Sequence, residues 1–220
     1  DSAAVLGALI DYQLGPSPAT LAALQRTHIK AGGTAAVAED VCRCMYFIES
    51  SHGSLPEKVG QLAAVPPVAI GTFWAGRVLH EHNRWAGALE QYARALAADT
   101  SDPRTRLFYA IAFLNALRPG DAFEVLREIP GTWAPFTVSY WRARALLDLG
   151  RLAEARVLLE ALPTQIPPEP TIPDASTDSG PVQPPTSPSC VLGDIYAGEG
   201  DVVRARGLLE KPGADCDDAL

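Results

Sequence analysis

No run of apolar residues in this sequence reaches the roughly 20 that a membrane-crossing helix needs. Basic residues are outnumbered, 18 Lys and Arg against 26 Asp and Glu, and the net charge is −8. Without a basic stripe, nucleic acid and anionic membrane surfaces are poor partners, and a protein of weakly basic or mixed charge fits better. Catalytic signatures are missing as well: there is neither a glycine-rich phosphate loop nor a G-x-S-x-G nucleophile turn. Of the four histidines, His28, His52, His80 and His82, the last two lie two residues apart. That spacing puts them on different sides of a helix, where a zinc site asks for three or four. The four cysteines, Cys42, Cys44, Cys190 and Cys216, are spaced too irregularly for a disulfide framework and read as free thiols of a reducing compartment. The first residues after Asp1 lack the basic stretch that opens a signal peptide. Together these absences lead us to expect a cytoplasmic protein that is not an enzyme and holds no metal or cofactor.

What the sequence does have is a period. Gly76, Ala110 and Ala143 occupy one slot at intervals of 33–34 residues, and Trp74, Phe108 and Trp141 another. Ala88, Ala122 and Ala155 share a third, and Tyr92, Leu126 and Leu159 a fourth. A fixed interval that governs both small and large residues marks a repeat architecture. The clearest unit covers residues 139–162. Ala143, Leu146, Leu147 and Leu149 give one apolar helical face, and Leu152, Ala155, Leu158, Leu159 and Leu162 a second. Gly150 between them suits the left-handed backbone that ends a helix, and Asn83 holds the same slot earlier. In the intermediate unit the turn is expected at residues 118–120, with Asp121 as the next helix cap. A further unit near the C-terminus places Leu192, Gly193, Tyr196, Gly200, Asp201, Ala205 and Leu209 at matching slots, 50 residues after its predecessor.

The excess falls in a proline-rich stretch, residues 163–188, with almost no large apolar side chains. It reads as an extended linker or as a ligand for a proline-reading domain. Residues 1–66 are looser. They suggest a hairpin from helices at 3–14 and 18–30, then helices at 34–51 and 55–64, with Pro and Gly at the boundaries. The organisation is thus divergent hairpins over 1–66, repeats over 67–162, the proline-rich stretch, a last hairpin over 189–211 and an acidic tail over 212–220. The fold class is all-α: a solenoid of about twelve helices in six antiparallel pairs.

These residues resemble the tetratricopeptide repeat. Leu192-Gly193, Tyr196, Gly200 and Ala205 match its pattern, as do Gly76, Leu79, Ala88, Tyr92 and Ala95, and Ala143, Leu146, Gly150, Ala155 and Leu159. The unit around Phe108 departs most, with Ala110 and Ile129 at slots for glycine and alanine. The resemblance extends over residues 70–211 and implies a right-handed superhelix whose concave face is lined by the first helix of each pair. Carried over position by position, it puts Phe73, Trp74, Arg77 and His80 in that groove. Leu107, Phe108 and Ile111 follow, then Tyr140, Trp141, Arg144 and Asp148, and finally Asp194. Aromatic residues and arginine dominate binding hot spots. The family's carboxylate clamp uses lysine and asparagine where Phe73, Tyr140, Arg77 and Arg144 stand, so that ligand is not expected. The alternative is that Trp74 and Trp141 pack between helices and the arginines face solvent.

Two functional readings follow. The first is a non-catalytic interaction scaffold that holds a peptide or partner helix in the groove, as a monomer or within a hetero-complex. The second is a helical-repeat segment of a larger assembly or regulator, docking through its surface or a terminal repeat. The missing start methionine and the irregular first 65 residues favour the second. The test set for terminal docking is whether Leu208 and Leu209 are fully covered.

Overall fold

The computed structural model describes residues 2–15, 17–30, 34–47, 54–163, 187–210 and 216. Among them every regular element is a helix: α1 (Ser2–Leu14), α2 (Pro18–Lys30), α3 (Ala35–Phe47), α4 (Leu55–Ala63), α5 (Val68–Glu81), α6 (Trp85–Ala98), α7 (Pro103–Asn115), α8 (Pro119–Arg127), α9 (Pro135–Asp148), α10 (Leu152–Glu160), α11 (Pro188–Gly198) and α12 (Val202–Leu209). Among the described residues the architecture is the expected all-helical, repeat-like one of twelve helices, and within each compact unit most successive helices pack on one another. Most of the proline-rich stretch, and the tail apart from Cys216, lie outside the described residues. No described helix is long and apolar enough to cross a membrane.

The helix starts follow local chemistry. Asp102 accepts a hydrogen bond from the Arg104 N–H (2.9 Å) ahead of Pro103, and the Ser187 hydroxyl does the same for Ser189 ahead of Pro188. A side-chain acceptor satisfies an N–H that the helix leaves open, while proline has none to satisfy. Asn83 (φ 56°), Gly150 (φ 73°) and Gly200 (φ 83°) take the left-handed conformation expected between paired helices. The remaining turn differs from expectation. Leu117, not residues 118–120, is left-handed (φ 58°), and α8 begins at Pro119. Proline pre-sets the first helical residue, so the left-handed position moves back onto a leucine. Asp121 is therefore no cap; it sits in the first turn of α8 and accepts from Arg118 Nε at 2.8 Å.

The chain divides into two compact units, Asp1–Ala116 and Leu117–Leu220, a boundary inside the 67–162 stretch that the repeat groups together. In the first unit α1 packs on α2 and α3, and α5 lies against α3, α4, α6 and α7. The helices expected at 34–51 and 55–64 thus share α5 as their main neighbour, and meet each other where Lys58 Nζ donates to the Tyr46 carbonyl (3.0 Å). Leu24, Val41, Leu62, Phe73, Tyr92 and Leu107 are fully enclosed. Gly71 lets α5 cross the end of α4, since a β-carbon there would meet the carbonyl oxygens of Val65 and Leu62.

In the second unit α9 packs on α8 and α10, and α11 on α10 and α12. Ala143, Ala155 and Leu159 are buried at the slots the repeat assigns to close packing. Gly193 lies under Leu209, whose Cγ would be 2.6 Å from an added β-carbon. The cysteine expectation needs correction here: Cys190 and Cys216 form a disulfide, with Cα atoms 5.5 Å apart. The α12 helix packs on α11, and Cys216 is bonded to Cys190 in the first turn of α11. Cys42 is free and buried, as read, and burial raises its thiol pKa far above the ordinary value.

Candidate functional site

In the first unit the residues expected to line a groove lie on α5 and α7, with α3 packed against α5, but their rings turn inward. Phe73, Trp74, Phe108 and Ile111 are buried, as is Leu107. Phe73 stacks edge-on against Trp74 (5.7 Å between centroids) and Phe108 (5.6 Å). The expectation that these aromatics stand open as ligand anchors is corrected: they are core. The reason is a pair of charged residues the sequence reading did not single out. Glu39 of α3, 5% exposed, takes both arms of Arg104 from α7 (2.7 and 3.2 Å) and the Trp74 indole N–H (2.8 Å). The Arg104 guanidinium lies 4.1 Å from the Phe73 ring centre. A carboxylate can be buried at this depth because both oxygens are met by donors and a full opposite charge. The clue was in the sequence: Glu39 shares a helical stripe with Ala38, Val41, Cys42 and Met45, all buried, and an acid on such a stripe needs a partner.

Arg77 belongs to the same cluster and, like Arg104, reaches solvent only in part. Its guanidinium lies 4.2 Å from the centre of Phe108 and 5.5 Å from that of Tyr46, a cation–π arrangement. Its polar contacts are long: it donates to the Tyr46 hydroxyl at 3.3 Å and pairs with Glu81 at 3.6 Å. The side chain is 17% exposed, and burial lowers its pKa. Five N–H donors with two distant acceptors leave capacity for an incoming one.

His80 borders the same rings, edge-on to Trp85 at 5.0 Å. The Asn115 amide donates to its Nε2 (3.2 Å), which leaves the ring proton on Nδ1. That Nδ1 is buried without a partner, as is the hydroxyl of fully enclosed Tyr92. Burial, then the charge on Arg77, pulls the His80 pKa down to about 4. The ring is therefore neutral near pH 7. His82 is turned elsewhere, its Nδ1 2.8 Å from the Val78 carbonyl.

The second unit repeats the arrangement only in part. Tyr140 and Trp141 are buried and edge-on to one another at 5.6 Å, a correction to their placement as open groove anchors. Trp141 Nε1 has no partner. Arg144 points outward, 48% exposed, and pairs with Asp148 at 3.4 Å. Asp194 is exposed. The two arginines differ because Arg77 stacks on Phe108, which belongs to the following repeat, whereas the same slot after Arg144 holds Val191 and offers no ring.

No protein-family model matches the chain, and a search of curated proteins finds no match.

Proposed function

We propose that this chain is a tetratricopeptide-like, non-catalytic scaffold that binds a protein or peptide at the rim of the α3–α5–α7 cluster. One observation carries the reading: Arg77 is held between rings, reaches solvent in part, and meets its acceptors only at long range, which leaves hydrogen-bond donors to spare. A side chain pre-ordered by stacking loses little further entropy when it binds. The rings beneath serve as a rigid floor rather than as contacts, and Arg144 is the matching exposed cation of the second unit. The small-residue slots, Gly76 under Tyr92 and Gly193 under Leu209, support the family reading. Nucleic acid and membrane surfaces are not part of the proposal, because the chain carries a net charge of −8. The disulfide favours an oxidising compartment over the cytoplasm.

Affinity capture with the wild type beside an Arg77→Gln/Arg144→Gln variant of unchanged melting temperature tests the reading. A partner lost by the variant supports it. A partner held equally by both moves the contact elsewhere. That result would favour the second reading, docking through the last repeat. Val202 and Val203 of α12 are 62% and 85% exposed, and Leu208 and Leu209 are only half-buried.

A further inference from the structure

The second unit holds a cleft of about 700 Å³ bordered by α8, α9 and α10. Its apolar lining comes from Phe123 of α8, Leu146 of α9, and Val157 and Leu158 of α10. Leu146 is buried, while Val157 is 63% exposed at the rim. A volume of this size takes a small molecule, and sites that do so combine apolar walls with a few placed polar groups. Arg142 and Leu146 each stand two residues before Arg144 and Asp148, which is about 200° around the helix. The cleft therefore lies on the opposite side of α9 from the exposed Arg144.

Arg127, Arg142 and Glu154 supply the charge in the cleft, and the first and last are already paired. Glu154 has its two oxygens bound by Arg151 at 2.7 Å, and Arg127 meets Glu124 at 2.9 Å. Arg142 has no carboxylate partner among the described residues. Its Nε and Nη2 donate to the Leu126 carbonyl (3.2 and 2.8 Å), and Nη2 also to that of Ile129 (3.3 Å), at the end of α8. These bonds fix the guanidinium and leave the two N–H groups of Nη1 without an acceptor among the described residues. Burial, then the charge on Arg127, lowers the Arg142 pKa from its ordinary value. An anion beside Arg142 relieves that repulsion, and Arg127 is free to share it, because an exposed pair such as Arg127–Glu124 is weak. Glu154 does not oppose the anion at close range. Its partner Arg151 lies 5.2 Å from the centre of the Phe123 ring, one turn of α8 away from Arg127.

We propose that this cleft binds an aliphatic carboxylate, its hydrocarbon chain along Leu146, Val157 and Leu158 and its carboxylate on Nη1 of Arg142. The lining favours an aliphatic chain over an aromatic ring, because Phe123, the aromatic residue in it, already has a face covered by Arg151. The charge favours a carboxylate over a neutral or cationic head. Two N–H groups of a fixed, planar guanidinium match the two oxygens of that anion. The site shares no residue with the Arg77 cluster or with Arg144, so it does not depend on the protein partner proposed for them.

Titration of the isotope-labelled full chain with decanoate, below its micelle-forming concentration and up to about 2 mM, tests the site through amide chemical shifts. Decanoate should saturate with a Kd between about 10 and about 500 µM, and the shifts should centre on α8, α9 and α10. Decanol and decyltrimethylammonium should bind the wild type at least about tenfold more weakly. Arg142→Gln should weaken decanoate at least about tenfold. Because Arg142 also holds the end of α8, Val157→Glu serves as a second variant at an exposed position; it should weaken decanoate as much with melting unchanged. Arg206→Gln, on the exposed side of α12, should leave the affinity as it is. No saturation by the top concentration, decanol bound as tightly as decanoate, shifts centred outside these three helices, or an affinity kept by both variants would each overturn the proposal.

Discussion

Tyr92 occupies the space a β-carbon on Gly76 would need: its ring carbons stand 2.6 and 2.8 Å from that position. The glycine is thus kept by the tyrosine packed over it. In the next repeats the same two slots hold Ala110 with Leu126 and Ala143 with Leu159, so the sequence again assigns a small residue to the first slot and a larger one to the second. Gly76→Ala alone should destabilise by about 1–3 kcal/mol, because Tyr92 is fully buried and has nowhere to move. Added to Tyr92→Leu, the same change should cost much less. Urea unfolding of the four proteins measures the coupling, and additive effects would contradict the packing argument.

Glu39 joins α3, α5 and α7 through Arg104 and Trp74. Glu39→Ala should destabilise by about 3 kcal/mol, since it leaves a largely buried guanidinium and an indole N–H short of their acceptor. Glu39→Gln keeps an acceptor for Trp74 and should cost less. Because the pair is shielded, wild-type stability lost to the mutation should differ little between low and high salt. Chemical unfolding at two ionic strengths checks both points.

His80 makes the first unit sensitive to acid. Its pKa is about 4 in the folded protein, against an ordinary value of 6.5. The unfolded chain therefore takes up a proton first as pH falls. The contribution to stability is complete above about pH 6.5, declines below it, and is exhausted near pH 4. Between about pH 7.5 and pH 5 the loss is about 2 kcal/mol. His80→Phe should remove that part of the pH dependence. Unfolding midpoints of the two proteins at both pH values decide it, and parallel slopes would refute the assignment.

Cys190–Cys216 ties the chain after α12 back to α11 across 26 residues. Closing a loop of that length stabilises by about 3–4 kcal/mol in the chain-entropy account. Reductant, or Cys216→Ser, should lower the stability of the second unit accordingly. Cys42, buried and with a raised pKa, should resist alkylation until the first unit unfolds. Mass spectrometry of alkylated protein with and without reductant follows both thiol populations.

Leu117 takes a left-handed conformation while 88% exposed. The side chain gains almost no burial to offset the backbone strain. Leu117→Asn, the residue type of the matching slot at Asn83, should raise stability by about 0.5–1 kcal/mol. A melting temperature that falls would show that the leucine has contacts its exposure conceals.

Helix positions were legible because each pair carries its own apolar stripe and a small residue at a fixed slot. The left-handed turns at Asn83 and Gly150 were legible for the same local reason. Leu117 was not, since its conformation is imposed by Pro119 two residues on. The site was half legible. Slot position selects the residues that face along α5 and α7, and it named Arg77 and His80. It does not reveal whether distant residues close over them: Glu39 and Arg104 lie 65 residues apart, and neither belongs to a repeat slot. Cys216 was illegible because its partner is fixed only once α12 has packed on α11.

The boundary at Ala116 has a spectroscopic corollary. Trp74 and Trp85 fall in the first unit, Trp133 and Trp141 in the second, and the chain has no other tryptophan. Replacing either pair with phenylalanine leaves an emission signal that belongs to one unit alone. Each half of the chain thus carries an intrinsic fluorophore by which its unfolding is followed without a label.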